Sequence, residues 1–184
     1  MGTLVVFEWM SLDGVFDAET MGEWWEPYDS AERQRCIQDT YSYTDAFLMG
    51  RLTYEMLGPH WSRLEDDAMG GVAGKLNHTH KYVVCGREPG FTWENSTVIS
   101  GDSEDIIAAI KKVRQERAET VIIGSGTLAT SLMQAEVIDE YKFLIQPIVA
   151  GHGKRVFGDA TAKMQLVATR ELDQGVLFLH YRRQ

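Results

Sequence analysis

An α/β fold with a mixed, mostly parallel central sheet, helices on both faces and a C-terminal antiparallel hairpin is predicted by three features of the sequence. Short apolar runs alternate along the chain with segments of helical periodicity, the pattern of βαβ units. Two of those runs, Ala46-Phe47-Leu48-Met49 and Val121-Ile122-Ile123, end on glycine and pass straight into a helix start. The last two strand-like runs are separated only by Asp173-Gln174-Gly175, turn chemistry that joins antiparallel neighbours.

Taken in order, residues 3–8 form a first strand, and residues 11–29, rich in acids, glycine and aromatics, form a long irregular stretch that is a candidate active-site loop. A helix follows over 30–41 and a strand over 45–49. The next helix starts at Arg51 and is stopped near Leu57 by Pro59. A helix is expected over 65–77, interrupted in character by Gly70, Gly71 and Gly74, and strands over 81–85 and 97–100. Asp102 caps a helix whose Ile106, Ile107, Ile110 and Val113 form one apolar stripe, which is core. Beyond the glycines at 124 and 126 a helix runs to about Gln134, then strands cover about 139–148, 165–172 and 175–182.

The chain has 184 residues, one domain's worth spanning 1–184, with enough apolar surface for a core that needs neither disulfide nor metal. A net charge of -9 argues against a sequence-independent grip on nucleic acid or on an anionic membrane, so any phosphate site must be local. Cys36 and Cys85 read as reduced thiols, and no His/Cys spacing suggests a metal site. The N-terminus runs directly into a strand without a basic leader, and no apolar run has membrane length; the expectation is a cytoplasmic protein.

The two strand-to-helix glycine junctions carry the chemistry. In Gly124-Ser125-Gly126-Thr127-Leu128 the glycines allow backbone shapes closed to other residues, and helix N-terminal amides attract an anion. Gly50-Arg51-Leu52-Thr53 repeats the arrangement with a guanidinium and a hydroxyl added. Two such junctions suit a dinucleotide. The competing account is ordinary architecture: a strand-turn-helix connection, an arginine on a solvated first turn and Thr53 as a cap.

Ser11-Leu12-Asp13-Gly14, Met49-Gly50-Arg51-Leu52-Thr53-Tyr54-Glu55, Ile123-Gly124-Ser125-Gly126-Thr127-Leu128, Val137-Ile138-Asp139-Glu140 and Pro147-Ile148-Val149-Ala150-Gly151-His152-Gly153 occur in this order. Together they resemble the dihydrofolate reductase-like superfamily, in the branch related to the C-terminal reductase domain of the bifunctional deaminase-reductase of riboflavin biosynthesis. The resemblance covers nearly the whole chain. It implies a three-layer fold in which NADPH lies along the C-terminal ends of the central strands and a small substrate faces its nicotinamide. Gly50, Arg51 and Thr53 would meet cofactor phosphates, and Gly124, Ser125, Gly126, Thr127 and Leu128 would hold the pyrophosphate. Cys85, Gly86 and Arg87 fall where relatives contact the adenosine 2′-phosphate, so Arg87 either selects NADPH or is a surface charge. Dihydrofolate reductases place paired glycines where this chain has Gly124-Ser125.

The resemblance does not carry over a catalytic acid. Asp13, in the loop that covers the nicotinamide in relatives, either orients substrate or relays a proton, or it simply forms the Asp13-Gly14 turn. Glu26 and Asp29 are further candidate acids, and Trp24, Trp25 and Tyr28 either stack on a planar substrate or pack beneath the loop. Lys154-Arg155 is the one obvious local basic pair for a phosphate-bearing substrate, or else a pair of solvated loop charges. The reading is an NADPH-dependent reductase of a small carbonyl, imine or pterin-like compound, in a homodimer. A nucleotide-binding or ligand-sensing module without turnover is the alternative.

Overall fold

The computed structural model describes residues 2–158 and 160–184. Eight strands form one sheet: β1 (Thr3–Ser11), β2 (Ala46–Gly50), β3 (His80–Val84), β4 (Ser96–Ile99), β5 (Glu119–Ile122), β6 (Glu140–Gln146), β7 (Met164–Glu171) and β8 (Leu177–Arg183). Their order is β4-β3-β2-β5-β1-β6-β8-β7. All pairs from β4 to β6 are parallel, and β8 runs antiparallel to both β6 and β7. From β1 the chain moves outward to β2, β3 and β4, then returns to place β5 beside β1 and β6 on its far side. That reversal of direction opens a crevice at the carboxyl ends of the central strands.

Both faces of the parallel strands are covered, which is why β1 reads as a continuous apolar run rather than an alternation. Val5, Phe7, Phe47 and Val121 pack with residues of α2 (Ala31–Ser42), α3 (Arg51–Trp61) and α4 (Val72–His78), together with Trp24 and Trp25. Leu4, Val6, Leu48 and Ile122 pack on α5 (Ser103–Glu116) and α6 (Gly126–Gln134). The caps match the residue types: Ser30 Oγ accepts from Arg33 N–H at 3.1 Å, and Asp102 Oδ1 accepts from the Glu104 and Asp105 amides at 2.9 and 3.0 Å. Ile110 and Val113 of the expected stripe are buried, with Ile106 and Ile107 packed beside them.

Three expectations need correction. Pro59 does not stop α3, which continues to Trp61. The residue before it is Gly58, which lacks the Cβ that would clash with the proline ring, and Ser62 N–H resumes the ladder to Gly58 O at 3.0 Å. The expected helix over 65–77 shrinks to Val72–His78 because Met69, Gly70 and Gly71 all take positive φ. Residues 11–29 are not irregular throughout: β1 extends to Ser11, and short turns at Ala18–Thr20 and Glu26–Tyr28 flank the four-residue α1 (Met21–Trp24). Among the described residues no helix is long and apolar enough to cross a membrane.

Candidate functional site

The two glycine junctions stand side by side because β2 and β5 are neighbours in register, with Leu48 opposite Ile122. Gly50 keeps an extended backbone, φ -77°, and Arg51 opens α3. At the other junction Gly124 and Ser125 both enter the left-handed region, φ 56° and 64°, before α6 begins. The Ser125 hydroxyl links the two: it accepts from Gly50 N–H at 2.8 Å and lies 2.9 Å from Thr53 Oγ1. The first amides of α3 and α6 have no partner within their own helices and face the carboxyl end of the sheet together. A Cβ on Gly124 would stand 2.7 Å from Thr53 Cγ2, and one on Gly126 would stand 2.2 Å from the Phe16 ring, so both positions require glycine for close approach. Thr127 is exposed and Leu128 half-buried.

Around this pair the other predicted cofactor residues take varied positions. Arg51 is half-buried and ion-paired with Glu55, whose other oxygen accepts from Gly90 N–H at 2.7 Å. The Gly90 amide holds the Glu55 carboxyl below its ordinary range against the opposing effect of burial, with the Arg51 and Arg87 charges assisting. Arg87 and Gly86 are exposed. The Cys85 side chain is buried, and its amide is bonded to Ile99 O at 3.1 Å.

Asp13 is committed to the structure around it. Its carboxylate accepts from the Ser11 hydroxyl at 2.7 Å and from the Ala150 and Gly151 amides at 2.9 and 3.0 Å, and it pairs with Arg155 at 3.3 Å. The Ser11 hydroxyl first, then the Ala150 amide, hold its carboxyl well below the usual carboxylate range. Lys154 pairs with Asp17 and Glu19 at 3.5 and 3.9 Å. Asp29 is taken up by Arg33 and Gln34 at 2.9 and 2.7 Å, and Glu26 is exposed. Trp25 is buried in a layered stack: its ring lies parallel to Trp9, with centroids 4.0 Å apart and 8° between planes, and the Arg33 guanidinium lies 3.6 Å over it.

Four residues near the crevice have no place in the sequence-based site. Arg33 and Trp9 form the stack just described. Glu8 is a buried carboxyl on the opposite face of β1 from Trp9. Burial pushes its carboxyl well above the usual range, opposed by the Gly124 amide. Its Oε1 has no partner within the protein. Gln146, the last residue of β6, is fully buried with neither amide atom partnered. A single acid inside the apolar run Leu4–Met10, and a single amide closing Phe143-Leu144-Ile145, were the signals available. Two surface hollows lie at the other end of the sheet, one lined by Thr44, Asp45 and His78 and one by Arg114, Asp139 and Arg183, away from both junctions.

Comparison with known proteins agrees with this fold. The chain is 27% identical over 183 residues to the uncharacterized protein YwjB of Bacillus subtilis, covering 96% of this chain and 95% of that one. Its fold superposes with a TM-score of 0.72 on a putative riboflavin biosynthesis protein from a Shewanella species, at 19% identity and 99% coverage of both chains. It superposes at 0.66 on dihydrofolate reductase from Enterococcus faecalis, solved in complex with NADP(H), at 17% identity and covering 100% and 97% of the two chains. The fold is therefore dihydrofolate reductase-like. A family model described as the RibD C-terminal domain matches residues 3–178, and the chain belongs to that family.

Proposed function

We propose that the protein is an NADPH-dependent reductase of a small carbonyl, imine or pterin-like compound, related to the reductases of riboflavin biosynthesis. The observation that carries this reading is the pairing of two helix N-termini through the Ser125 hydroxyl at the carboxyl end of the sheet. The residues fit a dinucleotide: glycine at 124 and 126 makes room for Thr53 and Phe16 and so keeps the turn before α6 tight, and Arg51 opens α3 at the first junction. When bound, the reduced nicotinamide supplies the hydride. The α6 amides with Gly124 and Ser125 would hold the pyrophosphate, Arg51 and Thr53 the neighbouring phosphate oxygens, and Arg87 a 2′-phosphate. Asp13 would act as a positioning residue, tying the loop after β1 to residues 150–155. The protein would work as a single-domain homodimer in the cytoplasm, without nucleic acid or membrane partners.

A second reading, a nucleotide-binding module without turnover, is favoured by one observation: of the three predicted acids, Asp13 and Asp29 are bound to other protein groups and Glu26 faces solvent. Titration with NADPH and with NADH, followed by tryptophan quenching, tests both. Saturable binding with NADPH preferred is expected; binding of neither sinks the cofactor assignment. Consumption of NADPH with a carbonyl, imine or pterin substrate then separates reductase from binding module.

A further inference from the structure

We infer that the hollow at the amino ends of β2, β3, β4 and β5 is a second ligand site, built to hold the phosphate group of a small molecule. It lies at the opposite end of the sheet from the glycine junctions and does not depend on the reductase reading. Thr44 and Asp45 precede β2, His80 opens β3, Asn95 precedes β4 and Arg117 precedes β5, so four connections meet around it. Lys75 and His78 join them from the last turn of α4. The volume is about 380 Å³, within the range of small-molecule sites and more than a bare phosphate fills.

In a chain of net charge -9 this lining is basic: Lys75, His78, His80 and Arg117 stand against one acid, Asp45. Asp45 is engaged, one oxygen accepting from Ala118 N–H at 3.0 Å and the other 3.7 Å from Arg117. His78 is taken up by Asp66 at 2.9 Å. Lys75 meets no carboxylate among the described residues, and its Nζ reaches the Ser42 carbonyl only at 3.4 Å. Arg117 rests Nε and Nη2 on the Tyr82 hydroxyl at 3.2 Å, a neutral partner weaker than a phosphate dianion would be. Thr44, also in the lining, is 3% exposed, and its hydroxyl has no partner within the protein.

Helix C-termini attract cations, and α2, α4 and α5 all end here, which by itself would account for some of these bases. The last carbonyls of α4 are already met, however. Lys81, fully buried, donates to the Leu76, Asn77 and Thr79 carbonyls at 2.7, 3.0 and 2.8 Å. Asn95, held in the left-handed region at φ 58°, donates to the Asn77 and His78 carbonyls at 3.3 and 3.4 Å. The cations of the lining are therefore in excess of what that helix end requires. Their field is felt at His80, whose imidazole is held below its ordinary range by burial first and then by the Arg117 and Lys81 charges. A place that resists a further positive charge favours a negative one.

The test titrates the full chain at constant ionic strength with inorganic phosphate and ribose 5-phosphate, with ribose and chloride as controls, while NMR follows the five imidazoles. Saturable movement of the His78 and His80 signals by ribose 5-phosphate is expected, and none by ribose. His152, which pairs with Glu23 in the loops at the other end of the sheet, reports separately on anions bound near the glycine junctions. Lys75→Glu and Arg117→Gln should each weaken the effect at His80 at least tenfold, whereas Lys163→Glu, the same charge change near the far edge of the sheet, should leave it unaltered. Melting temperatures are followed throughout, and should Arg117→Gln fail to fold, Lys75→Glu at its half-buried helical position carries the test. Tighter binding of ribose 5-phosphate than of inorganic phosphate assigns the hollow to a phosphorylated small molecule; equal binding assigns it to phosphate itself. The site is overturned if neither phosphate moves the His78 and His80 signals, if chloride moves them equally, or if folded Lys75→Glu protein binds as the parent does.

Discussion

The two strand-to-helix junctions reach the same place by opposite means. At β2–α3 the backbone is relaxed, Gly50 keeping a negative φ, and the distinctive group is a cation already held by Glu55. At β5–α6 there is no charged side chain at all: two consecutive residues in the left-handed region bring bare amides forward, and a serine hydroxyl braces them to the other junction. For a non-glycine residue that conformation costs about 1–2 kcal/mol, a strain the surrounding contacts must hold in place. The contrast separates two ways of receiving a phosphate. One is a point charge that can be exchanged with little effect on the fold; the other is a backbone shape that cannot be changed without moving its neighbours.

Gly124→Ala should therefore have the largest effect. It forces alanine to φ 56° and sets a Cβ 2.7 Å from Thr53 Cγ2. A lower melting temperature and at least a hundredfold loss of NADPH affinity by fluorescence titration are expected, and Thr53→Ser in the same chain should restore part of the melting temperature by removing that methyl. An unperturbed Gly124→Ala protein would break the distinction. Arg51→Ala should fold normally and weaken NADPH by about 1–3 kcal/mol, the size of one charged hydrogen-bonding partner. Unchanged affinity would take Arg51 out of the site. Ser125→Gly should change least: relief of left-handed strain, about 1 kcal/mol or a little more, offsets loss of the hydroxyl brace, also about 1 kcal/mol, so calorimetry should find nearly the parent stability. A large destabilisation would show the brace to matter more than the turn.

What was legible in the sequence was local. The glycine junctions, the Asp102 cap, the stripe on α5 and the hairpin at Asp173-Gln174-Gly175 all lie within a few residues of the signals that announce them. The misses were of two kinds. Pro59 misled because its neighbour Gly58 removes the usual clash, a pairwise effect hidden from single-residue rules. The others depend on register across long stretches of chain: Ser11 meeting Gln146, Asp13 meeting Ala150 and Gly151, and Trp9 finding Trp25. Asp13 shows the limit most clearly. Its residue type and place allow an acid that orients substrate or relays a proton, or a plain turn-former, and its bonds to a loop more than 130 residues away are invisible to either reading.

That bonding also divides the rim of the crevice into a fixed jaw and a free one. Asp13, the Val15–Arg155 bridge and the Phe16 amide on Lys154 O rivet residues 13–16 to 150–155 along their length. The segment from Ala18 to Asp29 is held by the packing of Trp24 and Trp25, by the grip of Arg33 on Asp29 and the Trp25 carbonyl, and by two exposed pairs, Lys154–Glu19 and His152–Glu23. Its two indoles are buried against the sheet, so any change of shape in this less tightly bonded side would alter their surroundings and should be read in their fluorescence.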